Sequence, residues 1–261
     1  MIQYELPIPE IMFLTRHVLG LSQTLELPGY EECDEDTFTA AVNAIGRFSS
    51  EVLLPINADG DRIGSKLDRG EVKAPPGFSV AYKQFCEDGW NSLPFELEHG
   101  GQQLPFLLHA VLREGMAASN LSFALIHELN FGVYEALQAF GDDELKATYL
   151  PKLANGEWAG TMCLTEPHCG TDLGLIRTTA EPQGDGTYLL TGDKIFITWG
   201  DHDMSENIVH LVLARVKDAR DGVKGLSLFL APKYLPLADD DLGQRNDISV
   251  LGVEDKMGLH G

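Results

Sequence analysis

Residues 161–178 read TMCLTEPHCGTDLGLIRT and crowd Cys163, Glu166, His168, Cys169 and Asp172 into one segment. Three kinds of chemistry use such residue types. A metal site needs thiolate, imidazole and carboxylate ligands that converge on one point. A thiol nucleophile needs a base beside it and a lowered pKa. A ligand-shaped loop needs small residues, hydroxyls and free backbone N–H groups. The spacing speaks against the first two. Pro167 stiffens the segment and no second ligand pair follows, although Asp201, His202 and Asp203 lie further along. His168 and Cys169 are neighbours, and neighbours in an extended chain rarely face each other. The pattern reads as a strand running into a turn, with Cys163 buried and His168 exposed. Glu166 and Asp172 have the form of catalytic carboxylates, but Asp172 serves equally well as a turn or helix cap.

Composition narrows the choices. The chain has 261 residues, 44% of them hydrophobic, enough for a real core in one large or two small domains. A formal net charge of −21 gives it no electrostatic reason to hold nucleic acid or an anionic membrane surface. Cys33, Cys86, Cys163 and Cys169 form no C-x-x-C pair, which points to reduced thiols in the cytoplasm. The N-terminus carries Glu5 and Glu10 and lacks the basic start of a secretory signal. No apolar run reaches the roughly 18 residues of a membrane span. Neither G-x-G-x-x-G, nor a P-loop, nor a G-x-S-x-G elbow occurs, so a nucleotide would need another cradle and a serine thioesterase or acyltransferase is disfavoured.

Two kinds of element position these residues. Residues 1–156 read as an all-helical domain. Phe38, Ala41, Val42, Ile45 and Val52 fall near helical spacing, with Pro55 ending the pattern. PPGFSVAYKQFCEDGW reads as a helix begun by Pro76 and stopped by Gly89. LPFLLHAVLREGMAASN and LSFALIHELNFGVYEALQAFG give two greasier helices for the middle of a bundle. DDELKATYLPKL gives one more, with Pro151 as its stop. His17, His99, His109 and His127 are expected as core or surface residues rather than ligands. Residues 157–261 change period to short strands rich in β-branched and aromatic residues. The expected fold is α+β: a helical domain, then a small antiparallel, barrel-like β domain. TYLLTGDKIFIT reads as a hairpin turning at Gly192 and Asp193, and LADDDLGQRND as a surface loop. The stop at EDKMGLHG, with no closing strand, reads as a truncation.

GDDELKATYLPKLANGEWAGTMCLTEPHCGTDLG resembles the signature of the acyl-CoA dehydrogenase family, and GDKIFIT, GLSLFLAPK and VEDKMGLHG follow in the family's order. The resemblance covers essentially the whole chain. LPGYEECDEDTFTAAV, PPGFSVAYKQF and ENIVHLVLARV look most like the longer bacterial-type members, which act on medium- or long-chain acyl-CoA or on methylthio-propanoyl-CoA. The family implies a helical domain, a middle β domain and a C-terminal helical bundle, the last missing here. It also implies FAD, an acyl-CoA substrate, an electron-transfer flavoprotein or similar acceptor, and a homo-oligomer.

By position, the resemblance implies that Met162, Leu164 and Thr165 line one side of the flavin ring. Thr165 would bond its polar edge, and Thr171 would reach flavin and the CoA moiety. Phe196 and Ile197 would lie against the ring, with Thr198 bonding the nitrogen that receives hydride. No catalytic residue is expected within these 261 residues, because the family's base lies in a later segment. Met162, Phe196, His168, Cys169 and Trp199 depart from the commoner residues, and their bulk bears on acyl-pocket length and flavin position. Read apart from the motif, Thr165 and Thr198 are ordinary strand residues and Phe196 is core. The competing function is a non-catalytic acyl-CoA or flavin-binding module.

Overall fold

The computed structural model describes residues 3–237 and 241–261. Helices α1 (Ile8–His17) and α2 (Leu21–Leu25) bury Ile11, Met12 and Leu21. Helix α3 (Glu35–Arg47) starts at Asp34, whose carboxylate accepts the Thr37 N–H at 2.7 Å, and buries Phe38, Val42 and Ile45. Its pattern does not end at Pro55. A π-helical turn, Phe48–Leu53, carries the chain into α4 (Leu54–Ile63). Pro55 sits in the first turn of α4, directly after the π-helical turn. A hairpin then interrupts the helical half: β1 (Lys66–Asp68) pairs with β2 (Glu71–Lys73) around Arg69 and Gly70. Both turn residues have positive φ, 52° and 85°, the geometry a two-residue hairpin loop demands.

Helices α5 (Phe78–Glu87), α6 (Phe106–Ser119), α7 (Leu121–Phe140) and α8 (Asp143–Asn155) follow. Pro151 does not stop α8 but lies inside it. Side chains from elsewhere hold the final turn. Asn91 Nδ2 donates to the carbonyls of Leu153 and Ala154, Asn130 Nδ2 donates to Leu153, and the Tyr82 hydroxyl donates to Gly156, all at 2.8–2.9 Å. Carbonyls that a helix end leaves unpaired are thus satisfied beyond the proline.

The second half holds β3 (Trp158–Cys163), β4 (Thr179–Pro182), β5 (Tyr188–Thr191), β6 (Asn207–Val216), β7 (Leu226–Pro232), β8 (Tyr234–Pro236) and β9 (Leu242–Arg245). The long β6 is its spine. β3 and β4 pair with β6 in parallel, while β7 pairs with it antiparallel. The sheet is therefore curled and mixed rather than purely antiparallel. The expected hairpin at Gly192 does not form. β5 turns back onto β4 through residues 183–187, where Asp185 accepts from the Thr187 amide and hydroxyl. Gly192 is instead a close approach: a Cβ there would lie 2.4 Å from the Thr178 hydroxyl. In the stretch read as a surface loop, Ala238, Asp239 and Asp240 lie outside the described residues, and Leu242–Arg245 pairs with β8.

The halves share a seam. Gly160 of β3 lies so close to α7 that a Cβ would meet Val133 at 2.7 Å. Trp158, Val209 and Leu211 of the sheet join Tyr134, Leu137, Leu150 and Leu153 of the helices in one apolar cluster. Among the described residues no helix is long and apolar enough to cross a membrane.

Four histidines are buried. His109 and His127 face each other at 3.3 Å, and the other ring nitrogen of His127 meets Asn91. His99 bonds the Tyr134 hydroxyl, and His17 is exposed beside Phe13. Burial holds His127 down to about 3, and His109, His202 and His210 down to about 4. Each is neutral in the fold and takes up a proton more readily when unfolded, near 6.5. Their contribution is complete above pH 6.5 and is lost as pH falls toward 4. Calorimetry should find Tm nearly level from pH 7 to 8 and falling steadily from pH 6.5 to 4. A level Tm down to pH 4.5 would contradict the neutral burial.

Candidate functional site

The turn after β3 is organised by one carboxylate. Glu166 is 3% exposed. It accepts from the Arg177 amide at 2.8 Å, the Thr178 amide at 2.9 Å, the Thr178 hydroxyl at 2.5 Å and Lys194 Nζ at 3.0 Å. Its own backbone pairs with Cys169 in both directions. Burial alone raises its pKa, but these donors outweigh that and hold it at about 2. Such a group is a permanent anion and a scaffold rather than a proton carrier. Asp172 caps the Gly174 amide at 3.1 Å.

Glu166, His168 and Cys169 bring ligand-type atoms within 4.8 Å of one another. The arrangement is poor for a metal, because the carboxylate already has four donors and His168 Nε2 bonds the Leu175 carbonyl at 2.9 Å. Cys163 is turned elsewhere. It lies 3.7 Å from His210 Nδ1, which also shares a 2.6 Å hydrogen bond with the Thr161 hydroxyl. Burial pushes the Cys163 thiol up to about 11 while His210 stays neutral, so the pair holds a thiol rather than a thiolate. The residues are 47 apart in the chain, and only the parallel β3–β6 register unites them.

Lys194 reaches past Glu166 to the Leu164 carbonyl at 3.0 Å, and the Ile195 amide donates to the Thr165 carbonyl at 2.9 Å. These bonds lay residues 194–198 alongside the end of β3. Phe196 then takes a left-handed φ of 57° and leaves its ring 43% exposed, with Lys256 Nζ 5.6 Å above it. Trp199 is again left-handed, at 51°, but buried, its indole N–H donating to the Ser122 carbonyl of α7 at 2.9 Å. Its bulk is spent on the seam between the halves.

Phe196, Ile197 and Thr198 border a cleft of about 1740 Å³, walled by α7, β7 and residues 246–261. Among the described residues, the backbone N–H groups of these three and the Thr198 hydroxyl donate to no protein group. The other residues singled out from the sequence, Met162, Leu164, Thr165 and Thr171, do not line that cleft. Met162 packs into the helix-facing cluster with Leu211. Leu164 and Thr165 are half-buried at the end of β3, and Thr165 packs against Gly170. Thr171 is exposed at the far end of the turn.

Glu166→Gln keeps the shape but leaves Lys194, 10% exposed, without its anion. We expect a loss of roughly 3 kcal/mol at pH 7. The native pKa is depressed, so this contribution is present above pH 4.5 and is lost as pH falls toward 2. Urea unfolding of the two proteins should therefore differ at pH 7, and the gap should narrow steadily from pH 4.5 and close only near pH 2. A constant gap across that range would contradict the assignment.

The chain matches the N-terminal domain of acyl-CoA dehydrogenases over residues 36–157 and their middle domain over residues 161–261. It is 45% identical to a 3-methylmercaptopropionyl-CoA dehydrogenase of Ruegeria pomeroyi over 98% of its own length and 44% of that protein's. The butyryl-CoA dehydrogenase structure from Megasphaera elsdenii superposes with a TM-score of 0.63 at 25% identity, covering 76% of this chain and 49% of that one. An acyl-CoA dehydrogenase from Bacillus anthracis, solved with FAD, superposes with a TM-score of 0.61 at 25% identity over 81% of this chain and 33% of that one. The chain thus spans less than half the length of these relatives. Two domain matches in sequence, a close relative along nearly the whole chain, and the helical half joined to a curled sheet place this chain in the acyl-CoA dehydrogenase family.

Proposed function

We propose that this chain forms one wall of an FAD site and takes part in the α,β-dehydrogenation of an acyl-CoA thioester to the 2-enoyl-CoA. The observation that carries the proposal is the run of unpartnered donors at residues 196–198, set beside a half-exposed aromatic ring on the border of a large cleft. That donor set fits the polar edge of an isoalloxazine, and the Phe196 ring offers a flat apolar surface to its face. FAD, when bound, supplies the acceptor for the hydride that leaves the β carbon. Thr198 donates at the nitrogen that takes the hydride, through its hydroxyl or its N–H. Phe196 and Ile197 cover the ring from this side, Met162, Leu164 and Thr165 support its edge from β3, and Thr171 reaches toward CoA.

Asp201 and Asp203 are the carboxylates nearest Thr198 on its C-terminal side, and both are engaged by backbone amides and lysines. Neither is assigned as the base that takes the α proton. The relative from Ruegeria favours a short, methylthio-substituted acyl group over a long chain. Four free cysteines fit a cytoplasmic protein, and an electron-transfer flavoprotein fits as acceptor for a homo-oligomeric enzyme.

In the complete protein, Thr198→Val keeps the shape and the backbone donor but removes the hydroxyl. A hydrogen bond that strengthens as the nitrogen gains charge should cost hydride transfer about 10–100-fold on removal. Anaerobic bleaching of the bound flavin by substrate measures this, with acyl-CoA affinity expected to change less. Equal bleaching rates, or a loss confined to affinity, would show that the Thr198 hydroxyl takes no part.

A further inference from the structure

The turn that carries Thr198 is held by groups that neither touch flavin in the proposed reading nor belong to the motif that suggested it. Asp201 follows two residues after Trp199. Its side chain is 3% exposed, and both its oxygens are engaged. Oδ1 meets Lys233 Nζ at 2.6 Å, and Oδ2 accepts the Val72 amide at 2.9 Å. One carboxylate thereby joins three pieces of chain: the turn, the end of β7 and the β1–β2 hairpin of the helical half.

Between Thr198 and Asp201 the backbone has little slack. The Gly200 amide closes onto the Ile197 carbonyl at 3.0 Å, and a Cβ at Gly200 would crowd Ile197 at 3.0 Å. Phe196 and Trp199 both sit in the left-handed region, which bulky residues enter only when their surroundings over-determine them. Trp199 is fixed at one end of this arrangement by Ser122, and Asp201 fixes the other.

We propose that Asp201 is a positioning residue for Thr198, its buried bridge to Lys233 and Val72 holding residues 196–200 in their strained, donor-presenting conformation. This assignment rests on the flavin reading of Thr198 for its functional meaning, and on the geometry alone for its structural content. Asp203 supplies the comparison. It also clamps the hairpin, through the Ala74 amide at 3.0 Å and Lys73 at 3.5 Å, but its side chain is 37% exposed and lies beyond the buried bridge. A general loosening of the two halves should follow from losing either aspartate. A loosening of the turn should follow only from losing Asp201.

The test compares Asp201→Asn with Asp203→Asn in the full chain. Without FAD, exchange of the Gly200 amide, which among the described residues is the one amide of 196–200 with a protein acceptor, should quicken about tenfold or more in Asp201→Asn and stay within about twofold in Asp203→Asn. In the complete protein with its base and FAD, Asp201→Asn should slow flavin bleaching by substrate about tenfold with KM changed less than about twofold, and Asp203→Asn should bleach as wild type does. If Asp201→Asn fails to fold because Lys233 is left buried without its anion, Asp201→Asn with Lys233→Met removes both charges, and the exchange of the Gly200 amide is read in that protein with the same expectation. Unchanged exchange at the Gly200 amide, or equal loosening by both aspartate variants, overturns the proposal. A wild-type complete protein, base included, whose flavin no acyl-CoA bleaches overturns the dehydrogenase reading instead, and the exchange comparison still decides whether Asp201 holds the turn.

Discussion

The site depends on a carboxylate that does no chemistry. Glu166 is taken from water and repaid by four donors from two places in the chain, Arg177–Thr178 and Lys194. A buried anion with one partner is a poor source of stability, because desolvation cancels most of the attraction. With its lone pairs filled and a lysine alongside, it becomes a fixed point. Lys194 passes that fixity on, since it also bonds the Leu164 carbonyl and so delivers Ile195 to Thr165. Without this chain of contacts the two stretches that carry the proposed flavin contacts would have no reason to be neighbours, as neither is in a strand at the point where they meet.

A second constraint is the seam between helices and sheet. Gly160 lets β3 lie directly on α7, and Trp199 reaches from the turn to the start of the same helix. Helix α7 is thus the common reference for β3 and for residues 196–200. The cleft borders the same helix, so its shape is tied to the packing of the helical core rather than to loops alone. That arrangement suits a reaction in which thioester and ring must be held in register and water kept out.

Much of this was legible in the sequence, for physical reasons. The periodicity of Phe38, Val42 and Ile45 marked a buried helical face, and the change of period near Glu157 marked the sheet. The order of four motifs pointed to the family. What the sequence hid is what depends on distant partners. Pro151 reads as a stop until Asn91, Asn130 and Tyr82 are seen to satisfy the last carbonyls of α8. Pro55 misleads because a π-turn places it at a helix start. Gly192 and Asp193 look like a hairpin, but Gly192 serves a close approach to Thr178. Arg69 and Gly70 did carry a hairpin signal, lost inside a half that reads as helical. The pairing of Cys163 with His210, and the bridge from Asp201 to Lys233 and Val72, span 47, 32 and 129 residues and leave no local trace.

The central claim is that residues 196–198 face the flavin. The most direct test is to add FAD to isotope-labelled protein and follow the backbone amide signals of Phe196, Ile197 and Thr198, which have no protein acceptor among the described residues. The account predicts that these three shift and become protected together, while the buried amides around His109 and His127 do not move. Saturating FAD that leaves the three signals unchanged, or shifts only signals elsewhere, would contradict it.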